Sequence, residues 1–143
     1  MKWITRWHVH VDRVACPWLI SKFVDRGAEF VFIPWPDPLP SPDMGIPFDF
    51  PRSDFELGHH DGKCTFEAII EKYQIEDPWV LEIAKIVHAA DVASDIDTAP
   101  EAHGVELASY YFYHKIEEIF LGLCLKFAKR WDRYIRIVWI ILS

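Results

Sequence analysis

Prolines divide this chain into two parts that must fold differently. Seven of its ten prolines lie between Pro34 and Pro51. Because proline fixes φ and removes a backbone donor, this stretch cannot form a regular helix or a central strand. We predict an extended surface loop here, with short strand-like pieces around residues 46–48 and 54–57. Regular structure must therefore come from the residues before and after it.

Before the proline-rich stretch, the sequence alternates in the manner of β-strands. Aromatic and β-branched residues alternate with polar ones over residues 3–11, and residues 28–34 form a second apolar run that ends in proline. Period-two alternation predicts two strands, because successive side chains of a strand point to opposite faces. His8 and His10 then share one face, an arrangement that suits a metal ion but is also common for paired surface histidines.

Helical periodicity dominates from Thr65 onward, and a polar cap or a proline marks each predicted start. Thr65 is a good N-cap, and Pro78 follows an aspartate at the first helical position. We predict helices that begin near Pro17, Thr65, Pro78 and Pro100. Strands followed by helices indicate an α+β fold, a mostly helical single domain over residues 1–143 with a small N-terminal sheet.

Composition argues against several classes of function. The formal net charge of -7 and the pI near 5.4 disfavour nucleic acid as a partner, because duplex binding depends on Lys and Arg contacts to phosphates. The three widely spaced cysteines do not make a disulfide framework, and the N-terminus lacks the pattern of a signal peptide. The apolar C-terminal run is too short to cross a bilayer. We therefore expect a cytoplasmic protein without a transmembrane segment.

The segment from Gly58 to Glu67 concentrates side chains that bind metals or carry out acid–base chemistry. Its two imidazoles, one thiol and two carboxylates belong to His59, His60, Cys64, Asp61 and Glu67. Cys64 has two open interpretations. It is either a small apolar residue that packs on Ile69, or a thiol whose pKa is lowered by the helix N-terminus or by a metal ion.

Several motifs together resemble the C-terminal domain of the chromate-resistance protein B family. The run from Val11 to Ile20 resembles the opening motif of that domain. Later motifs occur in the family order: Pro47-Phe48-Asp49, His59 with Cys64-Thr65-Phe66-Glu67, Ile86-Val87-His88 with Asp91, and Pro100-Glu101-Ala102 with Gly104. The resemblance extends to about residue 110. It implies a stand-alone domain associated with chromate or oxidative stress, without the N-terminal regulatory portion of longer members.

The first functional hypothesis is a mononuclear metal site that senses or transforms a redox-active oxyanion or oxygen species. His88 and Asp91 are spaced i, i+3 and share one helix face. Antiparallel packing of this helix on the preceding one would bring both residues close to His59. Imidazoles with carboxylates suit Fe, Mn or Zn and leave positions open for a substrate. The predicted ligands are His59, His88 and Asp91, with Glu67 or Cys64 completing the site.

Two other hypotheses involve different residues. Arg13 and Arg6, with loop N–H groups, can hold a small inorganic anion such as chromate or sulfate without catalysis, and we predict that Arg13 faces the central loop. The chain beyond residue 105 is rich in aromatic and apolar residues and ends in an apolar run. This segment predicts a homo-oligomer contact through the apolar C-terminus. Under that interpretation the histidines have no functional role.

Overall fold

The computed structural model describes residues 1–8, 10–36, 40–41, 43–51 and 55–110. In chain order its elements are β1 (Lys2–Arg6), α1 (Val11–Leu19), a π-helical turn (Ile20–Val24), β2 (Glu29–Ile33), β3 (Ile46–Pro47), α2 (Thr65–Lys72), α3 (Pro78–Asp91) and a 3₁₀ turn (Ala93–Thr98). Helical backbone also covers residues 102–110. The predicted α+β class, with a small N-terminal sheet and more helix than strand, is confirmed.

The three strands form one parallel sheet in the order β2-β1-β3. β1 is central, because Trp3 pairs with Phe30 of β2 on one side and with Ile46 of β3 on the other. Parallel neighbours need a crossover connection, and α1 with its π-helical turn connects β1 to β2. The strand piece predicted around residues 46–48 is therefore confirmed, whereas residues 55–57 of the second predicted piece form no strand.

β1 is shorter than the predicted strand over residues 3–11. It ends at Arg6, and His8 adopts a positive φ of 75°, which turns the chain away from the sheet. His10 is instead the N-cap residue of α1. The prediction that His8 and His10 lie on one face of a strand is therefore wrong.

α1 begins at Val11, well before the predicted start at Pro17. Pro17 lies inside the helix, where it removes one backbone hydrogen bond. The chain continues past it into the π-helical turn, in which the backbone N of Asp25 donates to the carbonyl oxygen of Ile20 at 2.7 Å. The earlier start has a tertiary cause, because Asp12 in the first turn is held by backbone donors of α2.

The predicted starts of α2 and α3 are confirmed. The cap of α2 differs from the prediction in one respect, since Cys64 rather than Thr65 is the N-cap residue. Glu67 Oε2 accepts a hydrogen bond from the backbone N of Cys64 at 2.9 Å, which satisfies one donor of the first turn. Pro78 follows a capping aspartate at the start of α3, as predicted.

One hydrophobic core joins the sheet to the helices. Its buried side chains include Trp3 of β1, Leu19 of α1, Phe66 of α2 and Val80 of α3. α1 contacts both α2 and α3, and these two helices also contact each other. Consequently the first turn of α1 lies where the start of α2 and the end of α3 meet.

Within the described ranges, no helix is both long enough and apolar enough to span a membrane. The predicted homo-oligomer contact through the apolar C-terminus falls on residues 111–143, which lie outside the residues that the structure describes.

Candidate metal centre

Asp12 caps α2 from another helix. Its carboxylate is fully buried, and its Oδ2 accepts a hydrogen bond from the backbone N of Thr65 at 2.6 Å. Its Oδ1 accepts a second bond from the backbone N of Phe66 at 3.2 Å. A helix N-terminus has free N–H groups and a positive dipole end, so it stabilises a buried negative charge. The tertiary contact therefore fixes the Asp12 carboxylate in one orientation.

Asp91, at the last residue of α3, is a second buried carboxylate. Its side chain is 1% exposed and lies between two histidines. Oδ1 is 2.5 Å from His10 Nδ1 and accepts a bond from the backbone N of Asp12 at 3.2 Å. Oδ2 is 3.0 Å from His59 Nε2. The end of α3 is therefore tied to the start of α1 and to the central loop.

Asp49, which follows β3, is a third buried carboxylate. Its backbone has a positive φ of 55°, and its side chain is 3% exposed. Thr65 Oγ1 donates to its Oδ1 at 3.3 Å, while Oδ2 lies 2.7 Å from Arg13 Nε. Asp49 thus lies between the start of α2 and the guanidinium of Arg13.

His59 lies beside all three carboxylates. Its Nε2 is 3.0 Å from an oxygen of Asp91, 3.3 Å from one of Asp12 and 3.8 Å from one of Asp49. The ring is 47% exposed, so it forms the solvent side of the group. We call Asp12, Asp49, His59 and Asp91 the central cluster.

The carboxylates of the central cluster set the charge states of its neighbours. Contacts with Asp12 and then with Asp91 raise the pKa of His59 from 6.5 to about 10, against the opposing effect of burial. Burial tends to raise the pKa of Asp91, but its contacts with His10 and His59 dominate and hold that pKa well below its usual range. Burial and the charge of Asp12 raise the pKa of Asp49. Without a metal ion, protonated His59 supplies a positive charge to the cluster.

The central cluster fits a cation by its donor chemistry. Among the described residues, Asp12, Asp49 and His59 each offer one ligand atom, and these atoms lie within 4.8 Å of one another. The buried Oδ2 of Asp91 has no well-aligned hydrogen bond from the described residues, although His59 Nε2 is 3.0 Å away, whereas Oδ2 of Asp49 is paired with Arg13. A buried carboxylate oxygen without an aligned donor is a strong ligand for a cation. Oxygen-rich sets with imidazole suit Mn or Fe, and also Zn.

Arg13 and Arg6 are both directed at Asp49. Arg13 is 7% exposed, and its Nη1 donates to the carbonyl oxygens of Trp7, at 3.0 Å, and His8. Arg6 Nε donates to the carbonyl oxygen of Asp49 at 3.0 Å. Arg13 thus lies next to the central loop through Asp49, but these contacts occupy donors that would hold an oxyanion. Anion binding by the two arginines stays a prediction.

His88, Glu67 and Cys64 form a second group, apart from His59 and Asp91. Glu67 Oε2 is 2.6 Å from His88 Nδ1, so the start of α2 does lie beside the end of α3 as predicted. The five predicted ligands nevertheless divide between two groups. Residues at i and i+3 lie about 60° apart around the helix axis. Here that difference is sufficient for Asp91 to face α1 while His88 faces α2.

Sequence reasoning missed two ligands of this centre, Asp12 and Asp49, and it missed that His10 contacts Asp91. Asp12 and Asp49 both lie in runs that resemble family motifs, so the motifs contained a signal. Their burial was not predictable, because an isolated aspartate is normally a surface residue. His10 was considered only as a strand residue paired with His8.

The contacts of His59 predict that stability depends on pH. Because the folded pKa of His59 is raised from 6.5 to about 10, its contacts stabilise the metal-free fold fully below pH 6.5 and are lost as the pH rises towards 10. Asp91 behaves oppositely. Because its pKa is lowered, the stability that its contacts contribute is lost only as the pH falls below 3.8. We expect the free energy of unfolding to fall by about 1–2 kcal/mol as the pH rises from 6.5 to about 10. This figure is reduced because the His59 ring is about half exposed to solvent.

Urea unfolding at a series of pH values measures this decline. The variant His59→Gln should lose most of it, whereas His103→Gln should keep it, because His103 belongs to an exposed pair with Asp97. A decline of equal size in His59→Gln would show that another group causes it.

Comparisons with known proteins agree on one family. The family model described as ChrB, C-terminal domain matches residues 3–120. A relative from Cupriavidus metallidurans, Protein ChrB, is 34% identical over 106 residues, which are 73% of this chain and 31% of that protein. The match thus spans about a third of the relative's length. No solved structure gives a significant match. With most of its residues matched, the chain belongs to the ChrB C-terminal domain family.

Proposed function

We propose that the central cluster binds a transition-metal ion, Fe, Mn or Zn, and that the domain uses this ion to sense or transform chromate or another redox-active oxyanion or oxygen species. The observation that carries the proposal is the convergence of Asp12, Asp49, Asp91 and His59 from four parts of the chain. The family resemblance, which implies an association with chromate resistance, supports the choice of anion.

The three carboxylates differ in how they would serve an ion. Asp12 is oriented by two backbone donors, and Asp91 is oriented by His10 and by a backbone donor. Asp49 has its charge balanced by Arg13 and Arg6. Such outer contacts hold ligands in place and limit the cost of rearrangement when an ion binds. The orientation of Asp12 on α1 and of Asp91 on α3 by such contacts supports the proposal, because these two ligands would need little rearrangement.

His59 lies at the solvent side of the site. Its ring is about half exposed, so it separates the buried carboxylates from solvent. Asp12, Asp49, Asp91 and His59 would hold the ion, His59 as a neutral imidazole that has given up its proton, and the positive charge would balance the carboxylates. When bound, the ion supplies Lewis acidity and open coordination positions for an anionic substrate. Arg6, whose side chain is 23% exposed, lies beside Asp49 and can draw an anion towards the site.

Metal analysis tests the proposal. Protein purified without a polyhistidine tag, and reconstituted with Fe(II), Mn(II) or Zn(II) in turn, should hold about one equivalent at the central cluster. We expect His59→Gln to lose that equivalent, because glutamine keeps the size of the side chain but is a weak metal ligand. His103→Gln is the matched control and should retain the ion, since His103 is an exposed histidine paired with Asp97.

The functional part of the proposal needs a second measurement on the same samples. Chromate added to wild-type protein loaded with Fe(II) or Mn(II) should change the spectrum of the bound metal, and loaded His103→Gln should behave alike. Equal metal content in wild type and His59→Gln would overturn the assignment of the site. A site loaded with Fe(II) or Mn(II) whose spectrum responds neither to chromate nor to peroxide or oxygen would overturn the proposed substrate class.

A further inference from the structure

Cys64, Glu67 and His88 form a second set of metal-ligand side chains. Each offers one ligand atom, and the three atoms lie within 4.8 Å of one another. The set comes from separate elements, because Cys64 and Glu67 belong to the start of α2 and His88 belongs to the last turn of α3. Thiol, carboxylate and imidazole are the three ligand types that structural and catalytic zinc sites use.

The surroundings of His88 match those of a metal-binding imidazole. Its Nδ1 faces Glu67, with 2.6 Å between Nδ1 and Oε2. Its Nε2 lies 2.9 Å from Oδ2 of Asp95 in the 3₁₀ turn. Histidines that bind metals commonly donate their other ring N–H to a carboxylate, which fixes the tautomer and the ring orientation. Asp95 is placed to do this while Nδ1 remains on the side of Glu67.

Glu67 and Cys64 can bind an ion without loss of the helix cap. Glu67 Oε2 accepts the backbone N–H of Cys64 at 2.9 Å, and the carboxylate has a second oxygen. The Cys64 side chain is buried, whereas Glu67 and His88 are 29% and 21% exposed. An ion can therefore reach the thiol from the side on which Glu67 and His88 meet solvent. Burial and the charge of Asp12 raise the pKa of the Cys64 thiol well above its usual value, contrary to the lowered pKa that the helix N-terminus suggested, so the thiolate needs the charge of a bound cation.

We propose that Cys64, Glu67 and His88 form a second metal site, separate from the central cluster, for a thiophilic divalent cation of the zinc class. Three protein ligands and one solvent molecule complete a tetrahedral zinc coordination sphere. On binding, the Cys64 thiol releases its proton to solvent and its sulfur forms a bond to the ion. No electron transfer is involved. The ion would join the start of α2 to the end of α3.

The chemistry of the two sites differs enough to distinguish them. The central cluster offers only oxygen and nitrogen atoms, whereas the second set includes a sulfur atom. Softer metals prefer thiolate ligands, and manganese prefers carboxylates. The proposal does not depend on the proposed function of the central cluster, because it uses none of the same ligands.

Cobalt(II) substitution tests the second site. A tetrahedral cobalt–thiolate centre shows intense sulfur-to-metal charge-transfer absorption in the near ultraviolet, which oxygen and nitrogen ligands do not give. Full-length wild-type protein titrated with cobalt(II) should develop this band, and stoichiometric zinc(II) should abolish it. Cys64→Ser should lose the band while the helix keeps a good N-cap. His59→Gln should retain it, because His59 belongs to the central cluster.

Two further variants make the test specific. Asp95→Asn, which alters only the carboxylate that orients His88, should weaken cobalt affinity about 10- to 100-fold and keep the band at saturation. Cys16→Ala should leave the cobalt affinity and the absorption band unchanged. That result would exclude Cys16, the other buried thiol among the described residues, as the source of the sulfur ligand. Absence of the band in folded wild-type protein, or its persistence in Cys64→Ser, would overturn the proposal. Loss of metal in His59→Gln with the band intact would uphold both sites independently.

Discussion

Replacing Asp12 with alanine should destabilise the folded domain by about 3 kcal/mol. The substitution leaves the buried backbone N–H groups of Thr65 and Phe66 without their acceptor. It also removes the negative charge that the N-terminus of α2 stabilises and an acceptor beside His59. Urea unfolding of the metal-free protein near neutral pH measures the loss. Because whole domains are stable by only about 5–15 kcal/mol, this change is a large fraction of the total.

Two variants control this prediction. Asp12→Asn keeps one acceptor oxygen and the side-chain shape, so its loss should be about half as large. Glu82→Ala removes a carboxylate from an exposed pair with Lys85 on α3 and should change stability by less than about 0.5 kcal/mol. If Asp12→Ala were as stable as Glu82→Ala, the hydrogen bonds from the start of α2 to Asp12 would not support the fold.

Asp91→Asn should change both the titration of His59 and the metal affinity of the central cluster. The change removes the charge that lies between His10 and His59 while it preserves side-chain size. We expect the pKa of His59 to fall by about 1–3 units from its raised value of about 10, because an opposite charge within a few ångströms shifts a pKa by that amount. Histidine signals followed by NMR across a pH titration measure this shift directly.

The same variant should lower metal affinity at the central cluster by at least about 100-fold, since loss of an outer contact alone costs about 10- to 100-fold. Asp97→Asn is the matched control, because Asp97 pairs with His103 on the surface, 90% exposed. It should leave both the His59 titration and the metal affinity unchanged. If Asp91→Asn bound metal as tightly as Asp97→Asn, Asp91 would not be a ligand.

Local sequence signals were sufficient for the starts of α2 and α3. A proline after an aspartate specifies the first turn of α3, and a polar residue before an apolar stripe specifies α2, because capping and periodicity act over a few neighbouring residues. They failed at α1. Pro17 is a common first-turn residue, yet here it lies inside a helix whose start is set by contacts of Asp12 with α2.

The candidate site shows the same division. The sequence by itself determined that imidazoles, carboxylates and a thiol are concentrated around residues 59–67 and 88–91, and that α2 and α3 lie antiparallel. Only the tertiary structure decided which of them meet. It buried Asp12 and Asp49 beside His59, and it directed His88 towards Glu67 instead of Asp91. The physical reason is that a buried charge needs partners from distant parts of the chain, and their convergence is determined by packing of the core.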